Sequence, residues 1–380
     1  MVRHALAVLV GVALSSTAFA DVVMLAADAG RDGHHVKLGD KAQRDAMAKA
    51  DSGRAPSATG SVNLVDASGL EYFVNTDITF STSSSASGAA SEASYTQAVN
   101  ASTLNGGVDA STLNDAFDGY NTLCVSTNGG TGPCTTGGGG GKAITGNNYT
   151  IYNDNGPATL DAGCGDRQVI MPPQVIGGLT VQRKVFVPSN DEFARWLNIF
   201  TNTSGATIGF NMITGNNLGS DSNTAISTTS SGDAVASTSD LWVASFQNFS
   251  GTTSSDPRLG HVFGGPGAAT QISGISFVNG DDNPFWNYAM TLAPGETKII
   301  ANYATGQPSR AEAAAKAAEL TAFTANQTAC MSATEIAQVV NFVGTQAPSV
   351  PVPTTDRRVL AALAALTVAL GALALRARRA

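Results

Sequence analysis

The residues with the widest chemical reach fall in two short segments. His261 lies in DPRLGHVFGGPG, with Asp256 and Arg258 just before it and a Gly-rich run after it. A histidine close to a carboxylate and a cation is the raw material of acid–base or nucleophile-activating chemistry, so Asp256, Arg258 and His261 form the best single candidate for a functional loop. A lone loop histidine is nevertheless more often a hydrogen-bonded structural residue. Asp281 and Asp282 in NGDDNPFW are adjacent carboxylates flanked by Asn279 and Asn283, and GSDSNT places Asp221 in a similar setting. Oxygen-rich sets of this kind suit a hard cation, which makes calcium the one cofactor the sequence leaves open. In β proteins the same side chains more often bond their own backbone in Asx turns. Trp242 and Trp286 are sugar-stacking platforms if exposed and core residues if not, and core packing is the commoner role. His34 and His35 stand side by side without further ligands at metal-binding spacing, and read as an exposed polar pair. No phosphate-binding loop, dinucleotide fingerprint or zinc-protease helix occurs. The expectation is a protein without catalytic, cofactor-binding or metal-binding residues.

Cys124, Cys134, Cys164 and Cys330 form an even set with no C-x-x-C pair and no histidine at zinc spacing. Disulfides fit this better than a metal does. Of the three connectivities, the reading favours Cys124–Cys134, closing CVSTNGGTGPC, with Cys164–Cys330 pinning C-terminal helices to the sheet.

The elements that must position these residues are mostly strands. Residues 60–80 alternate apolar and polar, and the STSSSASGAASEAS run that follows is too small and polar to build a core. A nine-residue near-duplication follows, Val99-Asn100-Ala101-Ser102-Thr103-Leu104-Asn105 echoed by Val108-Asp109-Ala110-Ser111-Thr112-Leu113-Asn114; it reads as paired turns. From Tyr149 the pattern sharpens. In LTVQRKVFV, Leu179, Val181, Val185 and Val187 share one face, with Thr180, Gln182, Lys184 and Phe186 on the other. ARWLNIFTN and TIGFNMITGNN read as a hairpin around Asn202–Gly205. Further strands are expected over 241–249, 272–278, 286–292 and 298–303, the last two joined by the turn Ala293-Pro294-Gly295-Glu296. Ser309 with Glu312 and Ser332 with Glu335 are capping boxes opening two helices. The first should run to about Phe323 and pair Glu312 with Lys316; the second should present Ile336, Val339, Val340 and Val343 as one apolar stripe. The expected fold is mainly β: a large antiparallel β-sandwich ectodomain closed by two C-terminal helices.

The ends point to export. Arg3 and His4, an apolar run from Ala5 to Leu14 and Ala18-Phe19-Ala20 make a Sec-type signal peptide over residues 1–20, cut before Asp21. Val359 to Leu375 is apolar except for Thr367 and Gly371, and at roughly 25 Å is just long enough to span a bilayer. Arg376, Arg378 and Arg379 follow it and place the terminus in the cytoplasm. The whole chain carries a net charge of −8, and six of its arginines lie in the terminal segments, so the part between them is more acidic still. An acidic domain without a basic cluster excludes nucleic acid as a partner.

Val352-Pro353-Thr354, the apolar helix and the terminal arginines together resemble the three-part C-terminal sorting signals read by exosortases, in particular the Ile/Val-Pro-Thr (IPTL-CTERM-like) group. The resemblance covers about the last thirty residues and implies cutting near the short motif by a membrane-embedded transferase. The plain alternative is a permanent anchor.

The resulting organisation is a signal peptide (1–20), a loop-rich β part with low-complexity segments (21–148), a β-sandwich region (149–306), a helical closure (307–345), a linker with the sorting motif (346–358), a transmembrane helix (359–375) and an Arg-rich tail (376–380). The function expected is that of an exported cell-surface protein of structural, adhesive or matrix type, not an enzyme. The alternative is an extracellular carbohydrate-binding or carbohydrate-active protein. Expected partners are the Sec translocon and signal peptidase, an exosortase-like sorting enzyme, the membrane through the C-terminal helix and, under the alternative, a surface glycan.

Overall fold

A computed structural model describes residues 61–76, 87–100, 112–117, 119–131, 134, 149–152, 158–248 and 258–344. Residues 1–20 expected to form the signal peptide, His34 and His35, Asp256, the expected sorting motif Val352, Pro353, Thr354, the apolar C-terminal stretch and Arg376, Arg378 and Arg379 lie outside them, as do residues 81–86 of the polar run after Phe80. The rest of that run corrects the loop expectation: Ala90–Asn100 is a strand, and its small Ala90 and Ala93 are fully buried in the core.

In chain order the strands are β1 (Ser61–Val65), β2 (Leu70–Asn75), β3 (Ala90–Asn100), β4 (Thr112–Phe117), β5 (Gly119–Ser126) and β6 (Thr150–Ile151). β7 (Thr159–Leu160), β8 (Gln168–Ile170), β9 (Gln174–Ile176), β10 (Leu179–Phe186), β11 (Ala194–Asn202) and β12 (Ile208–Asn217) follow. The last are β13 (Thr224–Thr229), β14 (Trp242–Gln247), β15 (Arg258–Val262), β16 (Gly274–Ser276), β17 (Phe285–Leu292) and β18 (Thr297–Gln307). Two helices close the set, α1 (Arg310–Leu320) and α2 (Ala333–Gln338).

Among the described residues the strands form two antiparallel sheets. The first runs β1-β2-β3-β5-β12-β17-β16, with β4 beside β3 and β6 beside β5; the second runs β13-β14-β15-β18-β11-β10-β8-β7, with β9 beside β10. Their facing sides share one core. Leu123, Val125, Phe210, Met212, Trp286 and Tyr288 of the first sheet meet Val181, Val185, Trp196, Phe200 and Ile300 of the second. The expected alternation in β10 holds, since Leu179, Val181 and Val185 are buried while Thr180, Gln182 and Lys184 are half-exposed. The second sheet is buried on its other face too: Leu197, Val262, Ile299, Ala301 and Tyr303 pack under Ala317 and Leu320 of α1, Phe323 and Phe342. A strand covered on both sides has no solvent face, so Arg195, Asn198 and Asn202 of ARWLNIFTN are fully buried along with its apolar residues and must find hydrogen-bond partners inside.

The near-duplication is not a pair of turns: Val99 and Asn100 end β3 and pair with Leu113 and Thr112 of β4. Three further expectations are corrected. β11 and β12 are not a hairpin, because β11 pairs with β10 and β18 in the second sheet while β12 pairs with β5 and β17 in the first. The loop between them is an arch from one sheet to the other. The Ala293–Glu296 turn also changes sheets, leading from β17 to β18, and is closed by the Glu296 N–H donating to the Ala293 carbonyl at 3.0 Å. Local turn chemistry sets the reversal of direction but not the sheet in which the next strand finds its partner.

The second helix stops at Gln338 despite a complete capping box, in which the Glu335 N–H donates to Ser332 Oγ and the Ser332 N–H to Glu335 Oε2. Val339 is extended, makes a parallel bridge to Ile299, and is followed by the Val340 N–H donating to the Ile299 carbonyl. Of the expected stripe only Ile336 is helical; Val339, Val340 and Val343 lie beyond the helix, and Val343 is exposed. The third correction concerns Lys316, whose ion pairs are with Asp191 and Glu319 and not with Glu312.

Candidate functional site

His261 sits not in a loop but in β15, between Val243 of β14 and Ala304 of β18. The glycine before it is there for packing: a Cβ at Gly260 would stand 2.8 Å from Thr305 Cγ2, 3.0 Å from the Ala313 carbonyl oxygen and 3.1 Å from Ala317 Cβ. α1 thus lies directly on β15, and only glycine lets it approach so closely.

The His261 ring is fully buried between the sheets. Its Nδ1 is 2.8 Å from the Tyr120 hydroxyl and its Nε2 is 2.9 Å from Ser245 Oγ. The ring stacks on Tyr120 at 5.5 Å and meets the edge of Phe277 at 5.2 Å. Burial pushes the imidazole down to about 3, because a charged ring would lose its hydration without gaining a counter-charge. A neutral imidazole has one donor and one acceptor, so one hydroxyl receives a hydrogen bond and the other gives one. The Tyr120 phenol is held well above its ordinary value, first by burial and then by Tyr288 nearby.

A serine bonded to a histidine is the start of a nucleophilic pair. Here the other ring nitrogen is bonded to a phenol, leaving no nitrogen to be oriented by a carboxylate, and Ser245 is as buried as the ring. The trio joins β5 of one sheet to β14 and β15 of the other. Its chemistry is that of a satisfied neutral network, in which each polar group has a partner and none meets solvent.

A bulge in β5 aims both halves of this polar seam. Pairing of β5 with β12 slips between Gly215 and Asn217, and Asn121 takes φ 63°. Asparagine tolerates that left-handed backbone better than most residues, and a bulge redirects the side chains around it. Tyr120 therefore points to His261 while Asn121 turns to the second sheet, accepting from Arg183 Nη2 at 2.5 Å. Trp196 packs against Tyr120 at 5.3 Å and donates its indole N–H to the Gly88 carbonyl at 3.0 Å. On the far side, Asn302 donates to the Tyr288 hydroxyl, which donates to the Phe263 carbonyl at 2.6 Å. Asn341 completes that run by accepting from the Ala301 N–H and donating to the Ala301 carbonyl, taking the place of a strand neighbour.

The other sequence candidates do not join His261. Arg258 opens β15 and is buried, opposite Gln307. Asp281 and Asp282 lie in the turn before β17, where Asp281 Oδ1 accepts from the Asn283 N–H, Asp282 Oδ1 accepts from Asn283 Nδ2, and Asn279 Oδ1 accepts from the Ile226 N–H. The first is an Asx-turn bond, the second joins neighbouring side chains, and the third ties the turn to β13. Among the described residues no group of three or more His, Cys, Asp or Glu side chains is placed to hold a metal ion. Trp286 is a core residue, 4.6 Å from Phe263, and Trp242 is half-buried against the helical face.

The cysteines pair as expected. Cys124–Cys134 is buried, with Cα atoms 5.8 Å apart, and Cys164–Cys330 spans 166 residues at 5.7 Å. The second bridge ties the short turn before β8 to the segment between α1 and α2.

Sequence reasoning missed Tyr120, Ser245, Asn121 and Arg183, and also Asp66. The Asp66 Oδ1 accepts from the Ser68 N–H, the Ser68 hydroxyl and the Leu70 N–H, yet burial raises its carboxyl to about 6. Only Arg183 left a trace, as a charge on the apolar face of LTVQRKVFV.

No protein-family model matches the chain, and no curated protein matches it. Solved structures show a distant likeness. A polysaccharide lyase is similar over 69% of this chain and 35% of its own, at 10% identity and a TM-score of 0.38. A protein named as a kojibiose phosphorylase from human microbiome is similar over 68% and 33%, at 12% identity and 0.37. The Slr1438 protein from Synechocystis sp. PCC 6803 is similar over 67% and 98%, at 8% identity and 0.32. The chain spans about a third of the length of the first two. Likeness this distant assigns neither a shared fold nor an activity.

Proposed function

We propose that this chain is an exported cell-envelope protein whose β domain serves surface architecture, adhesion or matrix formation. The two disulfides carry the reading, since bridges of this kind form and persist in oxidising compartments. The signal-peptide pattern at residues 1–20 and the tail that resembles an exosortase sorting signal agree with it. The best catalytic candidate of the sequence, His261, is sealed in the core with both ring nitrogens engaged by hydroxyls, which favours a scaffolding role for that segment.

Intact-mass and peptide mass spectrometry of the protein recovered from the cell surface and medium tests the proposal. The expected result is a chain beginning at Asp21. A tail ending near Thr354 supports sorting by cleavage, and an intact Arg376–Ala380 end supports a permanent anchor. Recovery from the cytosol with residues 1–20 still attached overturns the export reading.

A further inference from the structure

Three arginines of the second sheet are completely buried, Arg183, Arg195 and Arg258, and the first two differ in what meets them. Arg195, on β11, faces the helices. Its Nη1 donates to the Gln327 and Ala329 carbonyls, each at 2.7 Å, its Nη2 to Gln168 Oε1 at 3.2 Å, and its guanidinium lies 4.7 Å over the Phe186 ring. Arg183, on β10, faces the first sheet. Its Nη2 donates to Asn121 Oδ1, whereas its Nε and Nη1 meet no hydrogen-bond acceptor among the described residues. The Asn121 amide Nδ2 beside it likewise meets none.

The two side chains come from opposite sheets, and everything they leave unanswered is a donor. A guanidinium carries a fixed positive charge, and a buried charge without a partner is among the costliest arrangements a core can hold. The stem is also held in place. Gly88, at φ +73°, gives it room, since a Cβ there would stand 3.3 Å from Arg183 Cδ and 3.1 Å from Met171 Cγ. Three unanswered donor nitrogens and one net positive charge, all buried between the sheets, describe the complement of a small anion. A cation or another donor would add to the cost.

We propose that Arg183 and Asn121 form a buried binding site for a small monovalent inorganic anion of the chloride type, taken up between the sheets as an integral part of the core. The anion accepts from Arg183 Nε and Nη1 and from Asn121 Nδ2, and neutralises the guanidinium.

Diffraction from crystals of the wild-type protein grown in sodium bromide tests this without a variant. The expected result is an anomalous peak within hydrogen-bonding distance of Arg183 and Asn121. A carboxylate of the chain bonded to Arg183, or ordered water there without anomalous signal, overturns the proposal. In solution, replacing chloride by gluconate at constant ionic strength should lower the wild-type melting temperature by about 3 °C or more, since a ligand that binds only the folded state stabilises it by mass action. Arg183→Met should show no such dependence. Equal responses of the wild type and this variant count against the site.

Discussion

The two faces of the second sheet solve the problem of burial differently. The outer face, under the helices, is mainly apolar but carries the buried Arg195 and Arg258, and Arg195 is answered by main-chain carbonyls of the segment that covers it. The same cover is held by Cys164–Cys330 and by the Lys184–Glu335 ion pair at 2.7 Å. The inner face carries a band of polar side chains, Arg183, His261 and Asn302, through the middle of an otherwise apolar interface. Residues of the first sheet, Asn121, Tyr120 and Tyr288, meet them. The comparison teaches that the outer layer is attached by cross-links added at the end of the chain, whereas the two sheets are fixed in relative register by hydrogen bonds that only one alignment satisfies.

The largest effect should come from the centre of the inner face. Trp196 is fully buried against Tyr72 and Tyr120, so Trp196→Ala should cost about 4 kcal/mol in urea unfolding. A cost under about 1 kcal/mol would place the core elsewhere. Next come the cross-links. Replacing Cys164 and Cys330 together by serine should cost about 4 kcal/mol, and replacing Cys124 and Cys134 about 2 kcal/mol, because the first closes a much longer loop. Hydrogen exchange should show the loss of the first bridge mainly in α1 and α2. Equal protection losses across both sheets would erase the distinction between the two faces.

Acid should act on the inner face. His261 is held at about 3 when folded against an ordinary value of 6.5, so the folded state binds fewer protons than the unfolded state between those values. Its contribution is complete above pH 6.5 and is lost progressively as the pH falls toward 3, the loss reaching about 3 kcal/mol by pH 4. Asp66 works in the opposite sense: its folded value of about 6 exceeds the ordinary 3.8, so its contribution is present below 3.8 and lost as the pH rises to about 6. Between about pH 4 and 6 these two slopes oppose each other in the wild type, so stability measured against pH should tilt toward falling with rising pH in His261→Gln and should rise more steeply in Asp66→Asn. The smallest effect belongs to the outer layer, where Ser332→Ala removes the α2 cap and should cost about 1 kcal/mol by thermal unfolding.

Much of this molecule was legible from local pattern. The alternation in β10 and both helix starts follow from spacing, and the favoured cysteine pairing, one of three the sequence allows, is the one the structure shows. What stayed hidden depends on partners far along the chain. Gly260 resembles a loop glycine until α1 is laid upon it. Tyr120 and Ser245 flank His261 from 141 and 16 residues away, and the Asn121 bulge that aims the first of them leaves no mark in GYNTLCVS. Sheet membership was misread at Thr203–Thr207 because a short loop rich in Ser and Gly suits an arch as well as a hairpin.

The most direct test of the central claim, an exported and oxidatively cross-linked envelope protein, is a non-reducing peptide map of the chain isolated from its native compartment with free thiols blocked at lysis. The account predicts Cys124 linked to Cys134, Cys164 linked to Cys330, and no alkylated cysteine. Four alkylated cysteines in freshly lysed cells would contradict it.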